Sequence, residues 1–242
     1  MFKIIHNVFC DLLYPSCCQI CFKQTRIKWP SGILCARCRE KIILNKPPFC
    51  IKCSRFIGDS DGQSRCAFCR RYLLAFDFAW SACLYEPPLK ELIHHFKFHG
   101  KTYFRFPFAG LMTEFIELYR LDIRQFDCLV PVALSSTRLR ERGYNQSLFL
   151  AEAIAARYKI PLEEESLTKT RHTTPQALLS QKIRFTNLNG AFRMKAQTDV
   201  KNKNILLVDD LLTTGSTASE IASVLKSAGA KRVGVLTLAT TV

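Results

Sequence analysis

Four Cys-x2-Cys pairs constrain the fold of this 242-residue chain more strongly than any other feature of its sequence. The pairs are separated by 13, 11 and 12 residues. Each pair can present two thiolates on one tight turn, and two such turns complete the tetrahedral ligand set of a structural zinc ion. We therefore predict a small cysteine-rich module that holds two zinc ions. The eight predicted ligands are Cys18, Cys21, Cys35, Cys38, Cys50, Cys53, Cys66 and Cys69.

The spacing leaves the pairing of these cysteines open. Sequential pairing assigns the first four to one ion and the last four to the other, whereas a cross-brace interleaves them. Cys17 is an alternative to Cys18, although its spacing to Cys21 is less usual. Redox or iron–sulfur chemistry is the alternative use of the thiolates, and the repeated ribbon-like spacing favours zinc. With four protein ligands per ion, the metal is expected to stabilise the fold and not to activate water.

The first fifteen residues raise the question of export or membrane attachment. Polar residues such as His6 and Asp11 interrupt the apolar run, and no small-residue cleavage site follows. Phe2, Ile5 and Phe9 have helical spacing, which predicts a short amphipathic helix docked on the protein, with a membrane-surface anchor as the alternative. No apolar stretch is long enough to span a bilayer. We therefore expect a cytoplasmic protein, in which cysteines favour metal over disulfides.

Positive charge is concentrated in the cysteine-rich part of the chain. Residues 1–71 carry 13 Lys and Arg against 4 Asp and Glu, whereas residues 72–242 carry 22 against 16. Two zinc ions on eight thiolates add −8 and +4, so the formal charge falls from +15 to +11. An excess of this size favours a polyanionic partner, and a solvated basic surface without a specific role is the alternative.

After the cysteines, apolar strands alternate with periodic helices. This alternation predicts an α/β fold with a parallel sheet flanked by helices. It also divides the chain into a cysteine-rich module with the N-terminal helix at residues 1–72 and an α/β domain at residues 73–242. Strands are predicted within 72–85 and at 126–134, 203–210 and 231–240, helices at 89–100, 106–119, 145–158 and 216–230, and a long loop at 168–190.

The segment from Ile205 to Thr217, ILLVDDLLTTGST, combines a buried strand, two carboxylates and a turn into a helix. Backbone N–H groups of such a turn can bind a phosphate, and Gly215 permits close approach. Helix capping is the ordinary explanation of a lone Gly-Ser turn. Two adjacent carboxylates, Asp209 and Asp210, beside that turn indicate a phosphosugar site instead.

This segment resembles the phosphoribosyl pyrophosphate (PRPP) motif of type I phosphoribosyltransferases. The resemblance implies that the acidic pair contacts the ribose 2- and 3-hydroxyls of Mg²⁺-bound PRPP and that the turn binds its 5-phosphate. In this chain the turn is Thr213, Thr214, Gly215, Ser216 and Thr217. The position of the family's pyrophosphate loop is residues 130–133, with Val132 and Ala133 as PRPP contacts, and it leads to Arg138, Arg140 and Arg142. The family's mobile loop falls on residues 168–189, with Lys169, Arg171 and Arg184.

The wider order of motifs is similar to that of the ComF family of competence proteins, over nearly the whole chain. Between the cysteine pairs and the PRPP motif lie RLRERGYNQS from Arg138 and a segment that includes Gln176, Arg184 and Asn187. The resemblance implies a role in natural transformation, with PRPP and single-stranded DNA as ligands and other DNA-uptake or helicase proteins as candidate partners. A catalytically active phosphoribosyltransferase acting on a nucleobase or amine is the alternative, and the sequence identifies no acceptor site.

Aromatic and basic residues interleave between Phe96 and Phe108. Stacking rings beside cations are typical of single-strand binding, although core packing is the alternative use of these phenylalanines. His94, His95 and His99 are expected to be surface or partly buried residues and not metal ligands. The candidates for phosphate or DNA contact are Arg138, Arg140, Arg142, Lys97, Lys101, Lys169, Arg171 and Arg184.

Overall fold

A four-stranded parallel sheet forms the centre of the computed structural model, which describes residues 17–25, 33–58, 64–170, 190–195 and 198–241. Its strand order is β1-β6-β5-β2, with a separate antiparallel pair of β3 and β4. The predicted parallel α/β architecture is thereby confirmed. The strands are β1 (Phe78–Leu84), β2 (Cys128–Pro131), β3 (Leu167–Lys169), β4 (Phe192–Met194), β5 (Asn204–Leu212) and β6 (Arg232–Thr240).

The described residues form two short α-helices before β1 and five more after β1, β2 and β5. They are α1 (Ala36–Arg39), α2 (Ala67–Arg71), α3 (Leu89–Phe98), α4 (Arg105–Leu118), α5 (Ser136–Arg142), α6 (Gln146–Tyr158) and α7 (Ser216–Ser227). Strand β5 continues two residues past its predicted end at Asp210, because Leu211 and Leu212 still pair with Ala239 and Thr240 of β6. The acidic pair therefore lies within the paired part of the strand.

Alternate side chains of β5 enter opposite halves of the hydrophobic core, as strand geometry requires. Leu206 and Val208 pack on the side of α3, α4 and α6. Ile205 and Leu207 pack on the other side, together with the apolar face of α7 and three of the last four paired cysteines. Burial on both faces explains the continuous apolar run of this strand.

The cysteine-rich segment covers the edge of the sheet at β1. The backbone N–H of Asn45 donates to the Ala82 carbonyl at 2.9 Å, and that of Leu84 donates to the Ile43 carbonyl at 2.9 Å. The buried Asn45 side chain adds bonds to the carbonyl oxygens of Ser54 at 2.7 Å and Ser81 at 3.1 Å. An otherwise open strand edge is thus paired within the chain. The division at residue 72 stays a prediction.

Two predicted segments fall wholly or partly outside the described residues. The amphipathic helix of the first fifteen residues does so entirely, and the long loop does so over residues 171–189. The two ends of that loop are held together, since Lys169 pairs with Phe192 in the β3–β4 ladder. None of the helices within the described ranges has the length and apolar character needed to cross a bilayer.

Candidate functional site

The eight paired cysteines gather in two groups, following the sequential order. The first cluster contains Cys18, Cys21, Cys35 and Cys38, and the second cluster contains Cys50, Cys53, Cys66 and Cys69. Within each cluster all sulfur atoms lie within 4.8 Å of one another. Cys17 instead takes part in a backbone bridge with Gln24.

The sulfur spacing fits a tetrahedral zinc site. A Zn–S bond of about 2.3 Å places the sulfurs of a tetrahedron about 3.8 Å apart. The Sγ atoms of Cys21 and Cys35 are 3.8 Å apart, and those of Cys53 and Cys66 are 3.6 Å apart. The hydrogen bond between the side chains of Cys50 and Cys53 is the main cause of two opposite shifts. It lowers the pKa of Cys50 and raises the pKa of Cys53 to about 12. These shifts mean that neighbouring thiols do not all ionise together, and a bound divalent cation would stabilise all four as thiolates.

The acidic pair and the predicted pyrophosphate loop meet because β2 and β5 are adjacent parallel strands. Pro131 pairs with Val208 in that ladder, and the next residue, Val132, donates its N–H to the Val208 carbonyl at 3.0 Å. Val132 is buried and Ala133 is half-buried. Carboxyl ends of adjacent parallel strands form the usual ligand crevice of α/β sheets.

Each carboxylate of the pair has its own partner from a distant helix. Asp209 accepts a hydrogen bond from the Ser147 hydroxyl at 2.7 Å, at the start of α6. Asp210, whose side chain is 3% exposed, forms an ion pair with Lys97 of α3 at 2.6 Å. The predicted phosphate or DNA contact Lys97 thus pairs with one carboxylate of the acidic pair in this structure.

Burial raises the pKa of one carboxyl group of this pair. Burial and the adjacent Asp210 carboxylate raise the pKa of Asp209 to about 7, against the opposing effects of Lys97 and the Ser147 hydroxyl. A carboxyl group with such a pKa exchanges its proton near neutral pH. The charge of the acidic pair therefore changes with pH in this range.

The predicted phosphate-binding turn, residues 213–217 and called the phosphate loop below, ends at the first turn of α7. Gly215 adopts a left-handed φ of +75° as the N-cap residue, a conformation that favours glycine. The hydroxyls of Thr214 and Ser216 lie 3.0 Å apart and are buried. Asp209 and residues of this loop line one pocket. A helix N-terminus that is flanked by hydroxyl and backbone N–H groups can bind a phosphate.

Three further predicted cations lie around the acidic pair. Arg142 of α5 donates to the Gln146 side chain at 2.7 Å, and burial lowers its pKa while the Asp210 carboxylate opposes that shift. Burial and the neighbouring Arg138 lower the pKa of Lys169 to about 8, against the effect of Asp209. The positive groups therefore repel one another across the site, and an added anion would relieve this repulsion.

Other predicted contacts are placed differently. Arg140 is exposed at the end of α5, and the contacts of the described residues do not connect it or Lys101 to the acidic pair. Arg171 and Arg184 lie outside the described ranges. The rings of His94 and His95 on α3 and of His99 at its C-cap lie near one another in tilted or edge-on orientations, with centroids 4.9 to 6.5 Å apart. Among the described residues, the four-cysteine groups account for the clusters of metal-type side chains.

The aromatic stretch divides between the core and the surface. Phe96, Phe104 and Phe108 are fully buried, so core packing explains them, whereas Phe98 is 59% and Phe106 41% exposed. Sequence reasoning missed Ser147, although it stands in the quoted RLRERGYNQS segment. It also missed Arg55, which donates to the Thr213 carbonyl of the phosphate loop from a position 158 residues earlier. No local pattern marks such a contact.

Fold and site define a phosphoribosyltransferase-type α/β protein that carries two four-cysteine clusters. The phosphoribosyl transferase domain family matches residues 145–241, which include the acidic pair and the phosphate loop. A purine phosphoribosyltransferase from Pyrococcus horikoshii is similar over 58% of this chain and 84% of its own, with 16% identity and a TM-score of 0.35.

Two relatives match most of the length of this chain. The DNA utilization protein YhgH of Escherichia coli K12 is 31% identical over 228 residues, which cover 86% of this chain and 97% of YhgH. Competence protein F of Haemophilus influenzae is 28% identical over 209 residues, which cover 85% of this chain and 90% of that protein. This chain belongs to the ComF family of phosphoribosyltransferase-like proteins.

The raised pKa of Asp209 predicts a pH-dependent stability. The folded protein holds this proton more tightly than the unfolded chain, whose Asp titrates at about 3.9, so the stabilisation is complete below about pH 4 and is lost as the pH rises to about 7. Asp209→Asn should therefore show a flatter decline of the unfolding free energy between pH 4 and 7 in urea titrations. Glu164→Gln, which changes an exposed carboxylate, should follow the wild type. Equal slopes in all three proteins would contradict the assignment.

Proposed function

We propose that this protein acts in the use of incoming DNA by binding Mg²⁺-PRPP and single-stranded DNA, with a structural zinc ion in each four-cysteine cluster. The relatives named for DNA utilization and competence support the role. The observation that carries the proposal is the convergence of a carboxylate pair, a phosphate loop and cationic side chains at the carboxyl edge of β5 and β2.

The zinc proposal rests on the distances between the sulfur atoms and on the packing of the second cluster against the α/β part. Cys50, Cys53 and Cys69 are buried among the side chains that pack against α7. Four thiolates per ion leave no position for water, so the metals would act on the fold. Because the binding energy of such a metal is also folding energy, its removal should affect the α/β part through the shared core.

We expect two zinc ions per chain. Cys53→Ser should lower the zinc content from two to one per chain and destabilise the protein strongly, since a four-thiolate site loses a ligand. Cys128→Ser, which changes a buried cysteine outside the clusters, should retain both ions. Elemental analysis of protein purified without added metal makes the measurement. Iron with visible absorption, or two zinc ions in Cys53→Ser, would contradict the proposal.

The arrangement of charges around the acidic pair supports binding of PRPP. The ligand carries phosphate and pyrophosphate groups, and the loop N–H groups, Arg138 and Lys169 offer complementary positive charge. Asp209 and Asp210 would take the ribose hydroxyls and the Mg²⁺ that accompanies the pyrophosphate. The Lys97 ammonium, now 2.6 Å from Asp210, would move aside or shift to the pyrophosphate as the cation enters.

Asp209→Asn and Asp210→Asn should each weaken Mg²⁺-dependent PRPP binding by about tenfold or more, because each removes a charged hydrogen-bond acceptor. Titration calorimetry with and without Mg²⁺ gives the affinities, and thermal unfolding checks that the variants fold. Asp122→Asn removes an exposed carboxylate elsewhere and should bind as the wild type does. Unchanged affinity in both site variants, or no binding by the wild type, would refute the site.

The transferase alternative requires a further step, the release of pyrophosphate when an acceptor nitrogen bonds to the anomeric carbon. The same PRPP titrations can be repeated with nucleobases and ammonia while pyrophosphate is measured. Release that depends on an acceptor and is lost in Asp209→Asn would establish the transferase, and binding without release would leave a PRPP-binding protein.

The proposed DNA surface is an arginine–aromatic strip beside the acidic pair. Arg142 lies 5.0 Å from the exposed Phe98 ring, and Arg105 lies 4.8 Å from Phe106 and 4.9 Å from Phe149. Tyr144 stacks on Phe149 with centroids 5.4 Å apart, which joins the two halves. The strip consists of Phe98, Arg105, Phe106, Arg142, Tyr144 and Phe149. Exposed rings beside guanidinium groups offer stacking and phosphate contact to a single strand without sequence readout.

Salt dependence separates the two contributions of the strip. Phe98→Ala and Phe106→Ala should each weaken single-strand binding by about 1–3 kcal/mol with the salt slope kept, because a stacking face is lost. Arg105→Gln should reduce the slope by about 0.7 per phosphate contact. Leu118→Ala removes an exposed apolar side chain from the same helix as Phe106 and should change neither quantity. Fluorescence anisotropy from low to physiological salt makes the measurement. A salt slope near zero in the wild type would remove the nucleic-acid role.

A further inference from the structure

Arg55 connects the second cysteine cluster to the phosphate loop. It follows Cys53 by two positions, in the segment that leads to Cys66. Its guanidinium Nη2 donates a hydrogen bond to the carbonyl oxygen of Thr213, the first residue of the loop. The same guanidinium lies 4.8 Å from the centroid of the Phe68 ring, on the helix between Cys66 and Cys69. The Arg55 guanidinium thus lies between the helix that carries Cys69 and the phosphate loop.

A second set of contacts from the same part of the chain fixes the middle of the loop. The Phe76 ring closely covers Gly215, since a Cβ atom on that glycine would lie 3.2 Å from the ring. Lys52, between Cys50 and Cys53, donates to the Phe76 carbonyl. The Ala75 N–H donates to the Ser219 hydroxyl in the first turns of α7, at 2.9 Å. The loop therefore packs against a surface that the second cluster holds in place.

A preformed anion site binds more tightly than a mobile one, because less conformational freedom is lost on binding. Loop N–H groups converge on a phosphate only while residues 213–217 keep their left-handed turn at Gly215. We propose that Arg55 is a positioning residue, which transmits the order of the second cysteine cluster to the phosphate loop. The proposal extends the proposed PRPP site, and it gives the second cluster a role in ligand binding that the first cluster lacks.

The proposed coupling between the second cluster and the phosphate loop has to act in both directions. A ligand that stabilises the loop therefore also stabilises the second cluster. A bound phosphosugar should therefore slow the loss of metal from the second cluster. The first cluster packs on the other side of the sheet, where Ile33 and Leu34 join the α3, α4 and α6 half of the core. Its rate of metal loss should be insensitive to the ligand.

The test compares Arg55→Ala and Arg55→Lys with Arg70→Ala. The last variant removes an exposed arginine next to Cys69 of the second cluster. We expect about tenfold weaker PRPP binding in Arg55→Ala, as for the loss of a hydrogen bond from a charged group. Arg55→Lys should recover part of the affinity, and Arg70→Ala should match the wild type. Zinc release to a chromogenic chelator should show one of two ions protected by PRPP in the wild type and neither protected in Arg55→Ala.

Hydrogen exchange of the loop amides tests the positioning role without any ligand. The amides of residues 214–217 should exchange faster in Arg55→Ala than in Arg70→Ala, at equal zinc content. If Arg55→Ala loses zinc, Arg55→Lys serves for the same comparison. Unchanged exchange together with unchanged or tighter PRPP binding would overturn the proposal. Faster exchange in a protein whose wild type binds no PRPP would instead refute the proposed ligand and leave the positioning role standing.

Discussion

The pairing of β5 between β2 and β6 is the constraint on which the rest of the structure depends. Parallel pairing on both sides brings the carboxyl ends of the strands to one edge, and packing against helices and the second cysteine cluster buries both faces of the strand. Asp209 and Asp210 lie at that edge, beside Val132 and ahead of the turn into α7. The site is therefore a consequence of the sheet, and a change in strand register would dismantle both.

Two carboxylates held in a mostly buried place carry an electrostatic cost, and the surrounding elements offset it. Ser147 and Lys97 provide one partner for each carboxylate, while Arg138, Arg142 and Lys169 add positive charge nearby. The balance is incomplete, as the raised pKa of Asp209 and the lowered pKa of Lys169 show. Shifted pKa values of this kind are common among the ionisable groups of functional sites.

The cysteine-rich segment contributes more than a separate metal-bound module would. Residues 43–45 pair with the edge of β1, and the second cluster packs on the face of the sheet that carries α7. Its neighbour Arg55 contacts the phosphate loop directly. The second cluster and the loop are thus in contact through Arg55, on the face of the sheet that carries α7.

Local patterns in the sequence were sufficient to predict the cysteine pairs, the alternation of strands and helices, and the acidic pair before a glycine turn. Each depends on residues within about one element of one another, where spacing and burial period act directly. Only the tertiary structure decided which distant side chains complete the site. Ser147 reaches Asp209 across 62 residues, and Arg55 reaches Thr213 across 158. The sequence also left the role of the phenylalanines between Phe96 and Phe108 open, and packing divided them between core and surface. The physical reason is common to all three cases. A side chain gains such partners only when strands and helices that are distant in sequence pack together, and local periodicity does not determine which of their faces will be in contact.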